Sequence, residues 1–144
     1  MIDVVSDASV VLKWFHAEGE EEVDSARALL DRYRDRSIVL HVLDLTAYEV
    51  GNALLRGRLR VGAARVVTVL LALSEICPRV ALTPAELTEA AALAERYDLT
   101  LYDAAYAAAA RSRDAELATL DRALLRSGLG RRPSAIVAGL GPAA

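Results

Sequence analysis

The chain has 144 residues, a size that suits one domain burying roughly two thirds of its unfolded surface. Its 54% hydrophobic and 26% charged content describes a soluble globular protein and excludes a disordered one. A net charge of −3 supplies no global basic field for nucleic acid, and with Lys13 the only lysine, arginine provides nearly all the positive charge.

In chain order, Ile2 to Ser6 reads as a short buried strand, and Asp7-Ala8-Ser9 caps a helix running toward Phe15. Glu18 to Glu22 reads as the solvated first turn of a helix reaching about Arg34, its acids favouring the positive end of the helix dipole. Ile38 to Leu43 is a second β-rich run. The period is helical from Leu45 to Arg56, with Asp44 as the expected cap and Gly57 as the stop. A further helix spans about Ala63 to Glu75. Its stretch Val66 to Leu73 is apolar on nearly every side, so it is expected to be buried or covered by another chain.

Arg79 to Leu82 reads as a brief strand. Thr83-Pro84-Ala85-Glu86 has capping-box spacing with Pro at the first helical position, and its helix runs to about Tyr97. Thr100 to Asp103 repeats that logic before an alanine-rich helix to about Arg113. Glu116 to Leu120 is a strand, Arg122 to Arg126 a short helix and Ala135 to Ala138 a last short strand. Gly139 to Ala144 has the look of a frayed, flexible tail.

Strands alternating with helices point to a single three-layer α/β/α domain over residues 1–144, built on a short-stranded parallel sheet. Ligands of such sheets collect beyond the carboxyl ends of the strands, near the switch in strand order. Cys77, the only cysteine, excludes an intramolecular disulfide and reads as a buried small hydrophobe. Asp3 and Asp7 interrupt the first apolar run, so no leader is read there, and no stretch is long enough to span a bilayer. The expected location is cytoplasmic.

Four acids stand out: Asp7, Glu49, Asp103 and Asp121. Asp7 and Asp121 each follow a strand and precede a helix, where an N-cap and a cation ligand are equally well served. Asp103 shares a helical stripe with Tyr106, Ala107 and Ala110 that should face the sheet, and a carboxylate there is costly unless compensated. Glu49 lies on a stripe with Leu45, Asn52 and Arg56, which reads either as a solvated face or as a wall of the site, with Asn52 orienting the carboxylate. Gathered together, four acids raise one another's pKa values and call for a hard divalent cation.

The segments Val4-Val5-Ser6-Asp7-Ala8-Ser9, Tyr48-Glu49-Val50-Gly51-Asn52, Leu101-Tyr102-Asp103-Ala104-Ala105-Tyr106 and Ala118-Thr119-Leu120-Asp121-Arg122, in this order, resemble the PIN-domain nucleases. Length, order and spacing resemble a VapC-type toxin of a toxin–antitoxin pair. The resemblance implies a catalytic Mg²⁺ or Mn²⁺ site made of Asp7, Glu49, Asp103 and Asp121, and endonucleolytic hydrolysis of RNA by metal-activated water. It also implies a homodimer and a VapB-type antitoxin partner. Ser9 and Thr119 fall where the family often has a hydroxyl near the acids. Ser6 departs from the usual apolar residue before the first Asp, an expected local packing change.

Arg56, Arg58 and Arg60 form a basic strip that suits RNA phosphates or a solvated turn. His16 and His41 are too few for a zinc site. Trp14 and Phe15 are expected to anchor the first helix. Two further functions fit the same sequence: a PIN nuclease for RNA processing without an antitoxin, and a binding module of the same fold without catalysis. The presence of all four acids argues against the latter.

Overall fold

The computed structural model describes residues 1–16, 21–58 and 60–143. Its middle layer is a sheet of β1 (Ile2–Ser6), β2 (Ile38–Leu43), β3 (Arg79–Val80) and β4 (Glu116–Ala118). All pairings are parallel and the order is β3-β2-β1-β4, with Val4 opposite Leu40 on one side and Glu116 on the other. The chain leaves β1 for β2 on one side and returns to β4 on the other. The switch point is therefore the crevice between the carboxyl ends of β1 and β4.

Side chains alternate across the sheet and divide the core in two. Val4, Ile38, Leu40 and Val42 face a cluster with α1 (Ala8–Phe15), α2 (Val23–Arg34), α3 (Asp44–Arg56), α4 (Ala63–Ile76) and α8 (Pro133–Gly139). Val5, Leu43 and Leu117 face α5 (Pro84–Tyr97), α6 (Leu101–Ser112) and α7 (Arg122–Ser127). The three-layer α/β/α arrangement expected from the alternating pattern is present. The alanines of α6 from Ala104 to Ala110 are all buried, because small side chains let this helix lie close on the sheet. The α4 stretch is only partly enclosed: Val66 and Leu73 are buried, while Val67 and Leu71 are exposed.

Trp14 anchors α1 by donating its indole N–H to the Ala26 carbonyl at 2.9 Å. Cys77 is buried, and that burial pushes its thiol up to about 11. His41 lies 3.1 Å from Asp3 across β1 and β2, and the His16 backbone N–H closes α1 on the Leu12 carbonyl.

Several expectations are corrected. Ala135 to Ala138 is helical, part of α8: Pro133 sits pre-organised at the first helical position and Ile136 is buried on one face. Arg131 instead makes the extra parallel bridge to β4, with Ala118. Leu43, not Asp44, caps α3, since its backbone N–H reaches Thr46 Oγ1 and Asp44 already has its place in the first turn. The strand after Arg79 ends at Val80, and β4 ends before Thr119, whose N–H turns to the Arg131 carbonyl.

Of the acidic run, Glu18 and Glu20 lie outside the described residues. Glu22 precedes α2 and its carboxylate takes the Ser134 N–H and hydroxyl at 3.1 and 2.6 Å, tying α8 to α2. In the stretch read as a tail, Gly139 closes α8, Leu140 packs on the core and the Arg32 guanidinium donates to the Gly141 carbonyl.

Candidate active site

Asp7 sits one residue beyond β1, and its backbone N–H bonds the Ala118 carbonyl of β4 at 3.1 Å. This fastens it to the floor of the switch-point crevice. It is 4% exposed. The Ser9 hydroxyl and the Val10 N–H donate to Oδ1, and the Thr119 hydroxyl donates to Oδ2. The capping and site readings of Asp7 are thus compatible, since Val10 N–H is a first-turn donor of α1. Burial pushes the carboxyl up to about 6, opposed by these hydrogen bonds and reinforced by the charge of Glu49.

The two hydroxyls are themselves held. Ser9 Oγ accepts the Leu120 N–H at 2.9 Å, and Thr119 Oγ1 accepts the Asp121 N–H at 2.9 Å. Ser9 and Thr119 therefore stitch the α1 start to the β4–α7 turn, with Asp7 between them. Asp121 caps α7, Oδ2 accepting the Leu124 N–H at 3.0 Å.

Glu49 and Asp103 approach from helices on opposite faces of the sheet. Desolvation raises both carboxyls above their usual range. Beyond burial, Asp103 and Asp121 act on Glu49, and Asp121 acts on Asp103. Asp7, Glu49 and Asp103 thus each feel the charge of another of the four acids, and none of the four is ion-paired among the described residues. The fold has brought together positions 7, 49, 103 and 121.

Tyr106, one turn after Asp103 on α6, was legible only as a member of its stripe. Its phenol is buried and donates to Glu49 Oε1 at 2.8 Å. Thr46, one turn before Glu49, lies 2.9 Å from the same phenol oxygen. Gly130 is a second residue the sequence did not signal. A Cβ at this position would stand 2.4 Å from Thr119 Cγ2, so only glycine leaves Thr119 its seat. Ser6 is fully buried, and among the described residues its hydroxyl has no hydrogen-bond partner.

Asn52 is exposed and makes no bond to Glu49 among the described residues. It lines an open cleft of about 280 Å³ with Leu45, Tyr48, Glu49 and Tyr102. Arg56, Arg58 and Arg60 are exposed, with Arg56 seven residues beyond Glu49, roughly 10 Å further along the helix axis. Arg58 lines a separate cleft with Leu12, His16 and Leu54, so the strip lies toward the far end of α3 and not among the acids.

The donor set consists of carboxylate and hydroxyl oxygens, which suits a hard divalent cation and no soft one. Among the described residues Asp7 is a buried carboxylate without a counter-charge and with the charge of Glu49 acting on it, a charge balance that such an ion would complete. As the side chains stand, no three described His, Cys, Asp or Glu residues form a ready coordination shell. Both Asp7 oxygens are engaged by hydroxyls.

A family model described as the PIN domain matches residues 4–128, a span holding all four acids. Among solved structures, PAE2754 from Pyrobaculum aerophilum is 28% identical with a TM-score of 0.69, the match covering 96% of this chain and 89% of that one. VapC20 of Mycobacterium tuberculosis, a toxin that cleaves the sarcin–ricin loop, is 17% identical with a TM-score of 0.66, covering 87% and 95%. At that identity the likeness bears on the fold alone. A comparison with curated proteins finds no match.

Proposed function

Because this chain belongs to the PIN-domain family, nucleases that generally use divalent metal ions, we propose that it is a Mg²⁺- or Mn²⁺-dependent endoribonuclease. We read it further as the toxin of a VapBC-type pair. The observation that carries the catalytic reading is Asp7: a buried carboxylate at the switch point, raised to about 6, with the charge of Glu49 acting on it and no cation paired to it among the described residues.

On this reading Asp7, Glu49, Asp103 and Asp121 hold the metal. A bound divalent cation supplies Lewis acidity and a water that ionises more readily than bulk water. The chain's own part is pre-organisation. Ser9 and Thr119 hold Asp7 in one rotamer, so little reorganisation is left for the moment of reaction. The low dielectric around Asp7 strengthens its attraction for any positive charge in the crevice. We assign the phosphates of RNA to the exposed basic strip of Arg56, Arg58 and Arg60. RNA as the substrate rests on the family likeness.

A protein partner is supported by apolar surface. Between α3 and α4 runs a groove of about 460 Å³ whose lining includes Tyr48, Leu55, Leu70 and Leu71, and Tyr48 and Leu71 are 78% and 61% exposed. Side chains of this kind, contiguous on a surface, mark contact with another chain. A VapB-type antitoxin and a second copy are the partners we propose. No helix among the described residues is long and apolar enough to cross a membrane.

RNA cleavage with and without chelator, for wild type, Asp7→Asn and Asp103→Asn, is the test. We expect cleavage in wild type with Mg²⁺ or Mn²⁺, and none in either variant, each still folded by circular dichroism. Wild-type cleavage that survives exhaustive chelation would overturn the metal reading.

A further inference from the structure

The hydrogen-bond chain that ends on Glu49 has only one consistent arrangement of protons. The Leu43 backbone N–H can only donate, and it donates to Thr46 Oγ1 at 3.1 Å. The Tyr106 phenol gives its single proton to Glu49 Oε1 at 2.8 Å. With that proton committed, the phenol oxygen accepts from Thr46 Oγ1 across 2.9 Å. The order Leu43 N–H, Thr46 O–H, Tyr106 O–H, Glu49 is then fixed link by link.

Every donor in this chain is buried. Thr46 and Tyr106 are 0% and 1% exposed, so water does not compete for these groups. The chain also spans the molecule's layers. It starts at the carboxyl end of β2, passes through the first turn of α3, crosses to α6 and returns to α3. Tyr106 and Asp103 share one face of α6, three residues apart. The bond that holds Glu49 therefore also sets the separation between the helix carrying Glu49 and the helix carrying Asp103.

We propose that Tyr106 is a positioning residue for the acidic site, acting through Glu49, and that Thr46 orients Tyr106. The phenol takes up Oε1 and leaves Oε2 as the oxygen that Glu49 presents to the site. Removing the phenol oxygen leaves Glu49 without its hydrogen-bond donor and frees the carboxylate to turn into the open cleft beside Asn52. Partners of this kind, one step behind a metal ligand, change affinity by about 10- to 100-fold when lost.

The inference rests on the metal-dependent reading above, and its test separates the two. Mn²⁺ binding is measured by calorimetry on the full chain for wild type, Tyr106→Phe, Thr46→Val and Thr46→Ser, alongside kcat and KM for RNA cleavage. Tyr106→Phe should bind Mn²⁺ about tenfold or more weakly, with kcat reduced and KM for RNA within about twofold of wild type. Thr46→Val should weaken Mn²⁺ binding in the same direction, and Thr46→Ser, which keeps the hydroxyl, should restore wild-type affinity. Wild-type Mn²⁺ affinity in a folded Tyr106→Phe overturns the positioning role while leaving the metal site standing. Should Tyr106→Phe not fold, equal Mn²⁺ affinities for Thr46→Val and Thr46→Ser overturn it instead. Absence of Mn²⁺ binding by the wild type overturns the metal reading, and the inference with it.

Discussion

Among the described residues Asp7 is held by three neutral donors and by no cation, which makes its charge a cost that the metal-free fold carries. Its carboxyl stands at about 6 in the folded chain against 3.8 for the unperturbed group. The raised value means the folded state binds the proton more tightly than the unfolded state. Stability of the metal-free protein should therefore fall as pH rises through the window from about 4 to about 6, by up to about 3 kcal/mol. Asp7→Asn should flatten that slope and stabilise the metal-free chain at pH 7, while cleavage is lost. Melting temperatures in chelator across this window provide the check; identical slopes for wild type and variant would remove Asp7 as their cause. Both capping and site readings of Asp7 were legible in the strand–Asp–helix pattern. Its burial was not, because the Thr119 hydroxyl that seals it lies 112 positions away.

Among the elements, the β4–α7 turn and the strand-like residues after α7 act as one unit. Thr119 reaches Asp7 only because Gly130 leaves room for its methyl group. Gly130→Ala should cost about 1–3 kcal/mol by overpacking and lower cleavage through a displaced Thr119. Thr119→Ser removes the offending methyl and keeps the hydroxyl, so the double variant should recover much of both losses. Additive losses in a thermodynamic cycle would show that the two residues do not communicate.

A second such unit joins α5 to α6. Burial alone would raise the Glu86 carboxyl, but the Ser112 hydroxyl, the Thr83 N–H and the Arg113 guanidinium at 2.6 Å outweigh it and hold it down at about 2. A lowered value contributes stability that is present above about 4.5 and lost as pH falls toward about 2. Glu86→Gln should destabilise the protein at neutral pH by up to about 3 kcal/mol and have little effect below about pH 2. Chemical denaturation at the two pH values measures this, and an equal loss at both would contradict it.

For the molecule as a whole, a cation that binds the folded chain alone must stabilise it. At a hundred times its dissociation constant, Mn²⁺ should add about 2.7 kcal/mol and raise the melting temperature. Asp103→Asn should show little of this shift, and a wild-type shift equal to that variant's would place the ion elsewhere. The layered architecture was readable from alternating strands and helices, and so was the convergence of the acids, since parallel sheets gather ligands at the switch point. The run from Ala135 to Ala138 misled because four apolar residues look alike in a strand and in a buried helical turn. Tyr106 and Thr46 escaped notice for a different reason: they lie 60 positions apart, and their meaning is a contact that no local period encodes.

The spacing of the site along the chain has a consequence for how the protein is made. The four acids run from position 7 to position 121, and the seat of Asp7 depends on Thr119 and on Gly130 behind it. During synthesis β1 emerges early but lacks its neighbour β4, so Asp7 has neither its hydroxyl collar nor the Ala118 carbonyl that fastens its backbone. A growing polypeptide carries no assembled centre until the residues through Gly130 have left the ribosome. On the proposed reading, the nascent chain is without activity until that point.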